Sequence, residues 1–234
     1  STADKTVIGF NRVTGKYDVK NPYLSSDFAN SYAYTNGGMR WRYQKKKYNF
    51  ALGMAWQQSD LTGTIKTGVK DSVISKTFRN LLPNARFQYS FSKFKTLQWS
   101  YSTNVNQPTM SQLQPVPDVS DPLNVREGNP DLKQEFNHNM MLHLNLMNPY
   151  KNKNLFAFMN AQITQNKIVN DDVVDAQGRK TTKPVNVNGV FMLNSDISYS
   201  MPVRALKGTV ELRAGTTYYN GKQFINGKAN GIGQ

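Results

Sequence analysis

Side chains along most of this chain take turns. From Asn49 to Gln57, Phe50, Leu52, Met54 and Trp56 alternate with Asn49, Ala51, Gly53, Ala55 and Gln57. From Ala85 to Ser92, Ala85, Phe87, Tyr89 and Phe91 alternate with Arg86, Gln88, Ser90 and Ser92. From Leu97 to Val105, Leu97, Trp99, Tyr101, Thr103 and Val105 alternate with Gln98, Ser100, Ser102 and Asn104. A repeat of two is the pleat of a β-strand with one apolar and one polar face. Met140, Leu142, Leu144 and Leu146 continue the pattern, and Phe191, Leu193, Ile197 and Tyr199 do so again. So do Val210, Leu212, Ala214 and Tyr218. Leu155, Ala157, Met159, Ala161 and Ile163 form a further set, blurred by Phe156 and Phe158. Tyr32 and Tyr34 are out of phase with Met39, Trp41 and Tyr43, so Asn36-Gly37-Gly38 is predicted to be a bulge. The pattern predicts about eight strands and no helix.

The connections between these strands alternate in length. Lys45-Lys46-Lys47, Lys93-Phe94-Lys95, Asn148 to Lys153 and Met201 to Ala205 are short. Ser59 to Leu82, Gln107 to Gln134 and Asn170 to Pro184 are long, polar and expected as loops. Tight turns at one end and long loops at the other describe an up-and-down transmembrane β-barrel. The apolar faces stay free of charge for about ten residues, close to the 9–11 that a tilted strand uses to cross hydrocarbon. Trp41, Tyr43, Tyr48, Trp56, Tyr89, Trp99, Tyr101, Tyr199, Tyr218 and Tyr219, near strand ends or mid-face, partly match an aromatic girdle. The opposite face is Asn, Gln, Ser and Arg, so Arg86, Gln88, Gln98, Asn104, His143 and Arg213 are candidates to face a wet or plugged lumen. Residues 1–30 read as a lead-in, 31–220 as barrel strands with loops at 59–82, 107–134 and 170–184, and 221–234 as the start of a further loop. The competing architecture is a soluble, basic β-sandwich that buries the aromatic face and binds anionic glycan or nucleic acid.

Charge and length narrow the choice. The chain has 29 Lys and Arg against 15 Asp and Glu, a formal net charge of +14 over 234 residues. Such a balance attracts phosphates. The cations are dispersed, however, among short turns, long loops and polar strand faces, while the aromatics occupy the opposite face. Nucleic-acid binding needs both together, so no nucleic-acid partner is expected. Phe50 to Trp56 is the longest unbroken apolar run, far below the roughly 18 residues of a spanning helix. No Cys is present, which removes disulfides and thiolate metal sites.

Constellations for chemistry are thin. His138 and His143, five apart on a strand, face opposite sides and cannot share an ion, His143 toward the lumen and His138 toward the lipid-side rim. There is no Gly-x-Ser-x-Gly elbow and no phosphate loop. Asn170, Asp171, Asp172 and Asp175 offer oxygens for calcium without EF-hand spacing, and a solvated turn is the expectation. No catalytic, cofactor or metal residue is therefore assigned, and the chain is not expected to be an enzyme. A barrel-embedded hydrolase relying on His143 is the remaining catalytic alternative.

One segment carries a family resemblance. Gln107-Pro108-Thr109-Met110-Ser111-Gln112-Leu113-Gln114-Pro115, Asp121-Pro122, and Glu127-Gly128-Asn129-Pro130-Asp131-Leu132-Lys133-Gln134-Glu135 resemble a stretch of the Bacteroidetes outer-membrane β-barrel family related to TonB-dependent receptors. Gln107 stands where that pattern has Arg, and Gln134 where it has a second Pro. The resemblance implies that this chain is the C-terminal part of a barrel of about twenty-two strands with a plugged lumen. It implies import of a large nutrient across the bacterial outer membrane. It also implies contact with lipid and lipopolysaccharide, and partnership with TonB and a surface lipoprotein through parts outside this chain. In their own right, the prolines fix φ and remove donors, so the segment cannot be ladder-paired throughout. Gly128 and Asn129-Pro130 signal a turn, and Asp131 is a candidate cap for the residues after it. Gln107, Pro108, Leu113, Pro115, Gly128, Asn129, Pro130, Asp131 and Leu132 are thus candidates for a stiff loop that sets backbone shape at the barrel mouth.

Overall fold

The computed structural model describes residues 2–6, 8–20, 26–67, 71–114, 117 and 121–233. In chain order the strands are β1 (Thr2–Lys5), β2 (Ile8–Asn11), β3 (Lys16–Lys20), β4 (Ser26–Lys45), β5 (Tyr48–Thr67), β6 (Asp71–Ser92) and β7 (Lys95–Asn106). A single helical turn, α1 (Met110–Leu113), and a short strand, β8 (Asn124–Arg126), follow. Then come β9 (Glu135–Asn148), β10 (Lys153–Gln165), β11 (Lys167–Val174), β12 (Lys180–Val187), β13 (Val190–Val203), β14 (Gly208–Ile225) and β15 (Lys228–Gly233). Eight long strands lie side by side in the order β4-β5-β6-β7-β9-β10-β13-β14, each antiparallel to the next. Their sheet is open.

Paired residues share a face, so the register assigns every side chain. Trp41, Leu52, Ala85, Tyr101, Met140, Ala161, Leu193 and Tyr218 form one lateral row across the eight strands. The row before it on the other face is Arg42, Ala51, Arg86, Ser100, Met141, Asn160, Asn194 and Thr217. No second sheet covers the apolar face; the only other sheet among the described residues is the two-stranded β2–β3 hairpin. Met39 is 80% exposed and Leu212 59%, with Trp41, Leu52, Trp56 and Ile197 exposed beside them. Such a surface is stable only against something as apolar as itself, which is the condition of a strand in hydrocarbon. The sandwich alternative required Phe50, Phe87, Trp99 and Leu142 in a dry core between sheets, and the single sheet removes it.

Several sequence expectations are corrected. Ser59 to Leu82 is largely strand, not loop: β5 and β6 continue in register to Lys66 and Asp71. Polar side chains suit a ladder projecting into water as well as they suit a loop, so composition does not distinguish the two. Asn170 to Pro184 lies within the β11–β12 hairpin for the same reason. The lead-in contains β1, which pairs with the start of β4, and the expected terminal loop is the β14–β15 hairpin. No bulge interrupts β4, whose pairing with β5 runs unshifted from Ser26 to Lys45. Tyr32 and Tyr34 are out of phase because they belong to the polar face. The helical turn α1 was unforeseen because one turn is too short to show a 3.6-residue period.

Candidate functional site

The polar face is roofed at its long-loop end by residues 107–114 and 121–134, and the motif residues among them build that roof. Gln107 leaves β7 and donates from its side-chain amide to the Tyr32 hydroxyl, and to Ser59 Oγ at 3.3 Å. Ser59, fully buried, also receives Gln57 Nε2 at 3.1 Å and the Tyr32 hydroxyl at 3.3 Å. Pro108 is buried next to this knot. Thr109 then caps α1: its Oγ1 accepts from the Gln112 amide at 3.3 Å, while Gln112 Oε1 accepts from the Thr109 amide at 2.9 Å. This reciprocal cap satisfies two otherwise orphaned donors.

The cap aims Met110 and Leu113 at the sheet. They pack with Leu61 and Ile74 from the polar face of β5 and β6 and with Leu132 from the far end of the loop; Leu113 is 0% and Leu132 1% exposed. This cluster is apolar burial on the face that also carries most of the strands' Asn, Gln and Arg. Two glycines permit it. A Cβ on Gly63 would overlap the Met110 side chain, and one on Gly128 would overlap the Gln114 backbone. At Gly128 two segments of main chain pass so closely that no side chain fits.

The return segment is tied by amides. The Asn129 amide donates to Gln112 O at 2.6 Å, and its side chain donates to Pro184 O at 3.0 Å and accepts from the Asp131 amide at 3.0 Å. The capping role expected of Asp131 is not filled, since the chain beyond is extended and holds no helix; Asn129 instead ties the turn through the Asp131 amide. Pro130 forms the turn itself. Asn186 grips the next residue, accepting from the Lys133 amide at 2.8 Å and donating to Lys133 O at 3.0 Å. Pro115 lies outside the described residues.

Glu135 closes the clamp where β9 begins. Its carboxylate accepts from the Ile168 amide at 3.0 Å, from Lys167 Nζ at 2.9 Å and from Asn106 Nδ2 at 3.2 Å. Burial pushes this carboxyl upward, but the Ile168, Lys167 and Asn106 donors outweigh it and hold the group below the usual glutamate value. Parallel pairing of β8 with β12, and of β11 with β14, joins the roof to the β11–β12 and β14–β15 hairpins. The aspartates considered for calcium are spent on the same scaffold. Asp171 Oδ1 accepts from the Gly227 amide, Asp172 holds Thr182 and Lys180, and Asp175 holds the Gln177 and Arg179 amides. Among the described residues no cluster of three metal-ligating side chains occurs.

Below the roof, Arg86, Gln88, Gln98, Asn104, His143 and Arg213 all lie on the polar face by register. Arg86, Gln98 and His143 meet at a cavity of about 410 Å³, completed by Ser100, Met141, Phe156 and Phe158, with Trp99 at its edge. Gln88 adjoins it by pairing with Gln98; Asn104 lies higher and accepts from Asn139 Nδ2 at 2.9 Å. Arg213 is apart, held by Asp196 at 2.9 Å. His138 is on the apolar face, its Nδ1 2.8 Å from the Tyr101 hydroxyl. Sequence reasoning missed Phe156 and Phe158, whose interruption of the β10 pattern was their signal. It also missed Tyr32 and Ser59, which anchor Gln107, and Arg40, which donates to Asn84 across Gly53 at 3.2 Å.

One open meander, lipid-compatible outside and roofed on its polar side, defines the wall of an outer membrane β-barrel. The chain belongs to the outer membrane protein beta-barrel family, whose sequence profile matches residues 2–233. No curated protein sequence matches it. Among solved structures, the copper transporter OprC superposes with a TM-score of 0.54 at 13% identity, covering 92% of this chain and 33% of that one. The siderophore receptor PirA from Acinetobacter baumannii superposes at 0.45 with 14% identity, covering 95% and 42%. PirA from Pseudomonas aeruginosa gives 0.44 at 13%, covering 84% and 45%. The chain thus spans a third to under half the length of these structures. It resides in the bacterial outer membrane.

Proposed function

We propose that this chain forms wall and roof of an outer-membrane importer of a large or scarce nutrient, working as TonB-dependent receptors do. The observation that carries the proposal is the pair of tied stretches 107–114 and 121–134. They are fixed by a capped helical turn, an apolar cluster and paired amides on the polar face, the same face on which Arg86, Gln98 and His143 lie nearer the short-turn end. A pore for small solutes needs no such roof, whereas selective uptake needs groups held in place at the entrance. Energy from TonB and capture by a surface lipoprotein would act through parts outside this chain. The fold shared with the copper transporter OprC agrees with transport. No chemical step is assigned to the wall, and His143→Ala should leave any hydrolytic background unchanged. The test is growth of a strain lacking the full-length gene on single scarce nutrients, metal chelates and oligosaccharides included. A growth defect restored by the intact gene, but not by one lacking residues 109–132, supports uptake through this roof. Normal growth and undiminished ligand accumulation across the whole panel refute it.

A further inference from the structure

The short-turn end of the sheet has an uneven distribution of charge that transport does not use. Every one of its four hairpins carries cations: Lys45, Lys46 and Lys47 between β4 and β5, Lys93 and Lys95 between β6 and β7, Lys151 and Lys153 between β9 and β10, Arg204 and Lys207 between β13 and β14. The turns and the strand ends beside them hold no acid, for no Asp or Glu occurs in 28–59, 86–106, 136–170 or 197–210; Glu211, the first beyond the last turn, lies within β14 opposite Ser200. At the opposite end four cations are matched: Lys167 with Glu135, Arg179 with Asp175, Lys180 with Asp172 and Lys183 with Glu127. Among the described residues none of the nine turn cations has such a partner.

Strand order sets these turns in one line. The Ser90 amide donates to Lys47 O at 2.9 Å, and the Met147 amide donates to Phe94 O at 3.0 Å, so each of the first two turns is bonded to the strand leading to or from the next. Successive turns are two strands, about 10 Å, apart, a distance comparable to the Debye length of about 8–10 Å, so neighbouring potentials overlap. Three turns also present an apolar residue among the cations. Phe94 is exposed, Tyr150 is 94% and Leu206 67% exposed, and Lys93 Nζ stands 5.7 Å from the Phe94 ring centroid. The line continues directly into the apolar belt of Tyr43, Tyr48, Tyr89 and Leu97.

We infer that this rim binds the phosphodiester headgroups of anionic phospholipids in the periplasm-facing leaflet of the outer membrane. Short turns of such barrels face the periplasm, which places the nine cations at headgroup level. Cations that lack acid partners and alternate with exposed apolar tips at the edge of a lipid-facing belt match a headgroup layer over acyl chains. An acidic periplasmic protein would be recognised by the cations alone and leaves Phe94, Tyr150 and Leu206 unexplained. The role is separate from import: it orients and retains the barrel.

Native mass spectrometry of the full-length barrel, exchanged from detergent into mixed micelles of phosphatidylglycerol and phosphatidylcholine, tests this. Retained phosphatidylglycerol should exceed phosphatidylcholine at least tenfold and fall steeply with salt. Lys46→Gln, Lys47→Gln, Lys93→Gln and Lys95→Gln together should lower that preference about fivefold for each cation that reaches the headgroups. The same four-fold neutralisation among Lys76, Arg126, Lys133 and Lys183 at the other end should leave it within twofold. Heat-shifted gel mobility reports that each variant is folded. Equal retention of the two lipids by the unaltered barrel overturns the inference, as does an undiminished preference in the turn variant. Displacement of the lipid by millimolar inorganic phosphate, or preferential retention of an acidic peptide, overturns it as well.

Discussion

Leu113→Ala should unfasten the roof without unmaking the wall. Leu113 is completely buried against Leu61, Ile74, Met110 and Leu132. Truncating such a leucine costs about 2–5 kcal/mol, depending on how far the neighbours collapse into the space. Met110 is flexible enough to fill part of it, so the lower half of that range, about 2–3 kcal/mol, is expected. With a factor of ten for each 1.4 kcal/mol or so, the open roof should become roughly 30- to 150-fold more populated. The ladders of β5, β6, β7 and β9 do not depend on this side chain and should be unaffected. Limited trypsinolysis of the full-length barrel in detergent measures the opening, because Arg126 and Lys133 lie exposed on the tied segment. Cleavage after those residues should accelerate by the stated factor, while the temperature of barrel unfolding on a gel stays within a few degrees. Leu123→Ala, at a residue 63% exposed, is the control and should change neither. Cleavage within threefold of the parent, or a parallel collapse of the barrel, would show that the apolar cluster does not fasten the roof.

Further expectations rest on the same geometry. Gly128→Ala forces a methyl group into the Gln114 backbone and should open the same tryptic sites, whereas Gly37→Ala, on a strand with open space around it, should not. Because donors hold the Glu135 carboxyl below the ordinary glutamate pKa, its contribution is present above the unfolded value near 4.5 and is lost as pH falls through the lower folded one. Roof opening should therefore rise below about pH 4.5 in the parent, and Glu135→Gln should flatten that profile while raising opening at neutral pH; an unchanged profile would remove Glu135 from the clamp. Leu142→Arg on the apolar face should cost about 2–4 kcal/mol of barrel stability in urea titration, and Gln98→Arg on the polar face well under half of that. Equal costs would contradict the assignment of faces.

The alternation of side chains determined most of the wall. Phe50, Phe87, Trp99 and Leu142 share a face because a strand's pleat has a period of two, and no tertiary context can change that parity. The eight long strands, the short turns and the polar set from Arg86 to Arg213 followed from it. Motif residues such as Gly128 and Asn129 also announced a shaped segment, since glycine and Asn-Pro restrict the backbone locally. Beyond reach lay whatever depends on residues distant in sequence. Polar strands of β5 and β6 look like loop until their partner ladder is known. Tyr32 and Tyr34 look like an error of phase until Gln107, from another strand's end, arrives to bond with Tyr32 and its neighbour Ser59. Met110 and Leu113 look like minor apolar residues in a loop until folding sets them on Leu61 and Ile74. Local sterics fix which way a side chain points; only the closed contacts of the folded sheet decide what it meets there.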